Sequence, residues 1–474
     1  DRMEEAVALI PADFDTLYSA ALTLSYAGRH AKGLEFVERA LEIWQENYLL
    51  WSKRGDLLAQ LGREPQALIS YEQAIRLEPH QAQPYVGLGY LHYSKERFQE
   101  AREVYEQARK VLPDDPNLLE ALGASLVGLN RLEEAEGIMD RVTVLRGDAE
   151  SFSNRAAVRS QRGHEDRAME DFARALALAP DDANVHYSLA THLLRTEKTE
   201  EAVRHFERAL KEGRDHPDTH YWLSEALFKL ARYEDAFSHA REAIRLGRDD
   251  ALVHFGAADN LLRLKRPAEA EQAYTRGLER QADAPLAIAR RGQARCEQGR
   301  IDEGLDDYLS ALRLKPAEAD WLREVTLIHF MKKRYGPALE SADRSIGAGR
   351  DDMDIHSLRG ETLRNLERPA EAEKAFDRAL ERKKDDPILH FYRSRVRYEQ
   401  GRKEEAFADL ETAIRLKPDF AQAIGQRGML KVKEKRPREA LPDLRRALDL
   451  LPALKPVLQP YLDQALREGK PGDF

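Results

Sequence analysis

SYEQAIRLEP (70–79), VYEQARKVLP (104–113), DFARALALAP (171–180), DYLSALRLKP (307–316), DLETAIRLKP (409–418) and DLRRALDLLP (443–452) are versions of one ten-residue ending. Their closing prolines are separated by 34, 67, 136, 102 and 34 residues, so each gap but the second is a multiple of 34 and the second is one short. With that proline counted as place 32, units begin at residues 14, 48, 82, 116, 149, 183, 217, 251, 285, 319, 353, 387 and 421. That makes thirteen units, the fourth (116–148) having 33 residues. Self-similarity at such a period marks a repeat architecture, in which each unit buries its apolar face only against its neighbours.

The columns of this register have strict sizes. Place 20 is alanine in eleven units, from Ala67 to Ala440, and glycine at Gly33 and Gly304. Place 8 is small or Thr throughout, as in Ala21, Gly55, Gly89, Ala156 and Thr326. Place 24 is large in most units, as in Tyr71, Tyr105, Phe172, Phe206, Tyr274 and Phe376. Each unit carries two apolar stretches at helical spacing, such as Trp51, Leu57, Leu58 and then Ala67, Leu68, Tyr71, Ala74, Ile75. Gly62, Gly163, Gly299 and Gly401 fall between the stretches, where a helix must stop. Pro267, Pro369 and Pro437 open the second stretch, where a missing N–H costs nothing.

The period with its small, small and large columns resembles the tetratricopeptide repeat family over 14–454. That resemblance implies an all-α fold: an α-solenoid, a right-handed superhelix of stacked antiparallel helix pairs, with first helices lining the concave wall. Residues 1–13 read as the second-helix remnant of a preceding repeat. Its uncovered Ala6, Val7, Leu9 and Ile10 raise the expectation of end-to-end self-association. Residues 455–474 read as a capping helix, with Val457, Leu458, Tyr461, Leu462, Ala465 and Leu466 on one face, and a frayed GKPGDF tail. Pro442, inside the last second helix, predicts a kink or a late helix start.

Composition narrows the function. The chain has 474 residues, 42% hydrophobic and 34% charged, with a net charge of -9. It contains no apolar run of about 18 residues, so no membrane insertion is expected. The acidic balance gives no nucleic-acid signature. Charge is uneven: residues 285–474 carry a net +4 and residues 1–284 a net -13. A single cysteine, Cys296, excludes a disulfide framework.

No phosphate loop, dinucleotide fingerprint or nucleophile elbow occurs. No catalytic constellation, cofactor or metal is expected. His186, His220, His254, His356 and His390 share place 4 and read as half-buried core fillers. Equivalent places lie about 10 Å apart, too far to share an ion. The pairs Asp114-Asp115, Asp181-Asp182, Asp351-Asp352 and Asp385-Asp386 fall before first helices, where Asp caps N–H groups.

In the resembled family places 2, 5, 9, 12 and 13 face the concave wall. Three consecutive units put Tyr187, Tyr221 and Phe255 at place 5, with Phe228, Arg195 and Arg263 flanking them. Arg323, Arg364 and Arg395 occupy groove places of the basic part. These nine residues are the expected peptide-binding groove. The asparagine pattern of the carboxylate-clamp modules is absent from place 9, and that of the sugar-transferring relatives from place 6, where only Asn154 occurs. The reading is a non-enzymatic scaffold for a protein or peptide partner, of bacterial type from its regular Ala/Arg/Glu-rich repeats. The alternative is the accessory region of a larger enzyme or export machine. Cytoplasm and periplasm both remain open.

Overall fold

The computed structural model describes residues 13–468. Residues 1–12 of the expected N-terminal remnant and the GKPGDF tail lie outside the described residues, and Asp13 caps the first described helix. Among the described residues there are twenty-seven α-helices and no strand. First helices start at Phe14, Tyr48, Ala82, Pro116, Ala149, Ala183, Pro217, Ala251, Pro285, Ala319, Met353, Pro387 and Ala421. These are the residues at which the 34-residue count opens its units.

Local chemistry sets these starts. Asp115 Oδ1 accepts from the N–H of Asn117 and Leu118, and Asp182 Oδ1 from Asn184 and Val185. Asp386 does the same for Ile388 and Leu389, and Asp352 caps Ile355. Each cap satisfies a donor that has no partner inside its helix, and is worth about 1 kcal/mol. The turn within each unit passes through the left-handed region at place 15. Glycine sits there in five units, with φ from 71° to 80° at Gly28, Gly62, Gly163, Gly299 and Gly401. The other eight hold Glu96, Asn130, Glu197, Ala231, Lys265, Lys333, Glu367 and Lys435 at φ 57° to 63°. The stack imposes this conformation whether or not glycine is present.

The chain divides into two compact bodies, one ending at Arg248 and the next beginning at Asp249. Each is an α-solenoid of stacked antiparallel helix pairs. In the first, buried Leu50, Leu57 and Leu58 belong to one cluster, Tyr105, Leu118 and Leu122 to another, and Phe172, Leu193, Phe206 and Leu223 to a third. The size columns explain the packing. A Cβ on Gly89 would stand 2.3 Å from the Tyr105 ring, and one on Gly55 2.7 Å from that of Tyr71. The place-8 hollow is therefore the seat of the place-24 ring. Burying such a ring contributes about 2–3 kcal/mol, and Gly89→Val would evict it.

The second body buries Phe376, Leu389 and Val396, then Leu410 and Phe420, then Ile424, Leu444 and Ala447. Its last second helix, Pro437–Leu450, runs through Pro442 without a late start. Pro442 lacks an N–H for the carbonyl four residues back, but Leu444 and Ala447 are fully buried and hold the helix in place. The final helix, Lys455–Glu468, buries Leu458 and Ala465 against this edge. Tyr461 and Leu462 pack partly on it, whereas Val457 and Leu466 stay exposed, so the covering face is narrower than the sequence predicts.

Candidate functional site

Arginines close the aromatic stripe over two of its three rings, Tyr187 and Tyr221. Tyr221 is only 8% exposed, with the Arg248 guanidinium carbon 3.7 Å from its ring centre. Half-buried Tyr187 meets Phe206 edge-on and carries Arg214 at 4.1 Å. Burial raises the Tyr187 hydroxyl above its ordinary pKa. The arginines are held in turn: Arg248 donates to Asp218 at 2.6 Å, and Arg214 donates to Asn184. Phe255 belongs to the second body, half-buried 6.5 Å from Tyr274, with its ring where a Cβ on Gly277 would stand.

The flanking residues are also engaged. Phe228 closes its own turn against Tyr233, at 5.5 Å. Arg195 donates to Ser160 Oγ at 2.8 and 3.2 Å, pinning it to the preceding unit. Arg263 is exposed. Arg395 lies 5.9 Å from the Phe391 ring, and Arg364 donates to Glu361 and Glu399.

Arg323 lines open space. A cleft of about 760 Å³ lies between the helix pair of unit nine and the first helix of unit ten. Leu286, Ala289 and Cys296 supply one side, Trp321, Leu327 and Met331 the other. Leu286 is 58% exposed and Met331 61% exposed, and both lie on this one cleft, where they form an apolar patch. Polar groups stand among them: Arg290 donates to Gln293, Gln293 to Glu297, and Arg323 to Glu324, at 2.7–3.0 Å. A second cleft of about 220 Å³ shares Arg323 and Leu327 and adds Phe330, Glu361 and Tyr392. Leu286 and Met331 occupy places 2 and 13, both groove places; an apolar residue there was the signal to read, and it is not aromatic. Burial raises the pKa of the Cys296 thiol, which keeps it protonated and a poor nucleophile. Gly304 replaces the usual alanine because its Cβ would stand 2.3 Å from Cys296 Sγ.

The place-4 histidines are hydrogen-bonded. His220, His254 and His356 each direct Nε2 to the aspartate five residues earlier, at 3.0, 2.6 and 2.7 Å. Their other neighbours lie at place 23. His186 meets His205 Nδ1 to Nδ1 at 2.9 Å, His220 meets His239 at 2.8 Å, and His390 meets Asp409 at 3.2 Å. His205 and His239 become visible only once place 23 is read against place 4.

Comparison with known families agrees with this geometry. The tetratricopeptide repeat profile matches residues 11–283, and a second tetratricopeptide repeat profile matches 255–319, 289–352 and 358–419. The chain belongs to the tetratricopeptide repeat family. Among its relatives, a TPR repeat-containing protein of Methanocaldococcus jannaschii is 26% identical over 183 residues, 36% of this chain and 32% of that protein. The human protein O-mannosyl-transferase TMTC1 is 30% identical over 132 residues, 28% of this chain and 15% of that protein. The matches thus span about a third or less of either relative. Among solved structures, YrrB, a TPR protein with an unusual peptide-binding site, aligns with 21% identity and a TM-score of 0.36 over 39% of this chain and 95% of its own.

Several tetratricopeptide units of this chain are also tied by buried ions. Asp171, 1% exposed, accepts two hydrogen bonds from Arg155 at 2.7 and 2.8 Å and one from Arg159 at 2.7 Å. Arg159 and Arg162 also reach back to Glu136 on the second helix of the preceding unit. The pattern recurs with Arg291, Arg295, Asp307 and Glu271, and with Arg393, Arg397, Asp409 and Glu373. Places 7, 11 and 23, with place 21 of the unit before, hold consecutive pairs in register.

Proposed function

We propose that this tetratricopeptide repeat chain is a non-enzymatic scaffold that grips an extended segment of a protein partner along its first helices. The observation that carries the reading is the cleft between units nine and ten. Its volume falls in the range of about 300–1,000 Å³ usual for ligand sites. Exposed Leu286 and Met331 offer an apolar seat, and Arg290 and Arg323 offer cationic contacts beside it. Glu297, Glu318, Asp320 and Glu324 line the same cleft, so the segment it suits carries an apolar side chain flanked by polar groups of either sign. Tyr187 and Tyr221 then act as support for the arginines that cover them, and Phe255 as packing against Tyr274.

A photo-crosslinking amino acid at position 331 tests this on peptides selected from a random library. Crosslinking there, and not at exposed Val144 on a second helix, is the expected result. Equal yields at both positions would remove the cleft from the reading.

A second reading is that the repeats serve a larger enzyme or an export machine. The match to the protein O-mannosyl-transferase TMTC1 favours it. The intact mass of the natural gene product separates the two, because 54.1 kDa leaves no room for a catalytic domain.

A further inference from the structure

Unit seven departs from its sister units in one respect. The His–Asp pair at its entrance recurs as His254–Asp249 in unit eight and His356–Asp351 in unit eleven. In both of those an arginine at place 30 holds the other aspartate oxygen: Arg280 on Asp249 at 2.5 Å, and Arg382 on Asp351. Place 26 also carries arginine there, as Arg276 and Arg378. In unit seven the same two places carry Glu242 and Leu246. Two cations are thus replaced by one anion and one apolar residue, beside a pair that already contains a carboxylate.

We propose that Asp215, His220 and Glu242 form a binding site for a divalent transition-metal ion, with zinc the best fit. One ligand atom from each lies within 4.8 Å of the others. Zinc with bonds of about 2.0–2.1 Å sets its tetrahedral ligands about 3.3 Å apart. Asp215 and Glu242 are partly exposed and close that difference by side-chain rotation, while His220, 7% exposed, is fixed by packing. One imidazole and two carboxylates suit zinc better than the all-oxygen shells of calcium or magnesium, and a water completes the set.

The surroundings supply the outer support such ligands need. His220 Nε2 faces Asp215 at 3.0 Å, so that nitrogen is the ligand and Nδ1 must carry the proton. His239 Nδ1, 2.8 Å away, accepts it and fixes the ring. Arg245 is the competing cation: it pairs with Glu242 at 2.8 and 2.9 Å while 63% exposed. An exposed pair of this spacing is a weak competitor for a coordinated ion. The bound ion would clamp the loop before unit seven to that unit's second helix.

The test is titration of the chelator-treated full chain with zinc chloride against a chromophoric competitor, repeated with cobalt for its visible spectrum. About one zinc per chain is expected at micromolar concentration, weakened about tenfold or more by Glu242→Gln and by Asp215→Asn. Asp249→Asn, the matching change in unit eight, should leave affinity as it is. Circular dichroism confirms that each variant is folded, and Glu242→Gln keeps the shape of a partly exposed side chain, so its loss of zinc is not a loss of structure. Failure of the wild-type chain to bind, or a folded Glu242→Gln chain that keeps its affinity, overturns the site.

Discussion

Arg214, Arg248 and Arg350 occupy place 32, where six other units have the closing proline. Each turns back on its own first helix, meeting Asn184, Asp218 and Asp320, all at place 2. Two of them also cover the place-5 ring. The aromatic stripe was therefore legible in the sequence as a column, but its closure was not, because it depends on which residue replaces a proline 27 places later. This changes what Tyr221 does. Tyr221→Ala removes a buried ring and its stacked cation, and should cost the first body about 3 kcal/mol. Thermal unfolding should show the loss, while affinity for a peptide held in the cleft stays the same. A large loss of affinity with unchanged melting would return Tyr221 to the binding surface.

At the scale of the helix pair, the period alone placed every first-helix start. Place 15 shows why residue type would not have sufficed: five units announce the turn with glycine and eight do not. A non-glycine residue in the left-handed region costs about 1–2 kcal/mol, part of which glycine gives back in chain entropy. Exposed Ala231, at φ 58°, is the cleanest case. Ala231→Gly should stabilise the chain by about 0.5–1 kcal/mol in urea unfolding, and Gly163→Ala should destabilise it by a similar amount. Nothing lies within 4 Å of a Cβ on Gly163, so its effect is purely one of backbone. The same sign for both changes would contradict the account of the turn. The ion networks were hidden at this scale, since arginines at places 7 and 11 look like a solvated face until the aspartate at place 23 is folded beneath them.

Across the whole chain, charge is where sequence and structure diverge most. A third of the residues are charged, and many of those charges are structural. Burial pushes Asp409 up, but His390, Arg393 and Arg397 outweigh it and hold the carboxyl below its ordinary value. Glu136, Glu373 and Asp443 follow the same balance with their own arginines and lysine. Groups depressed in the folded state contribute stability that is complete above their unfolded pKa of about 4 and is lost as pH falls through the lower folded values. Asp56 and Asp259 run the other way: burial raises them, so protonation favours the fold there. The melting temperature should therefore hold from neutrality to about pH 5 and fall below about pH 4. Asp409→Asn should lower it at neutral pH and flatten the acid limb. A chain whose stability rises on acidification through pH 4 would show that the raised aspartates dominate instead.

In the proposed mode of binding, partners are held in the cleft between units nine and ten. The most direct test is the dissociation constant of a library-selected peptide, by fluorescence polarisation, for the wild-type chain and for Met331→Glu. Met331 is exposed, so the change leaves the fold intact while placing an anion at the mouth of the apolar seat. The account predicts a loss of about tenfold or more, equivalent to about 1.4 kcal/mol. An unchanged dissociation constant would contradict it.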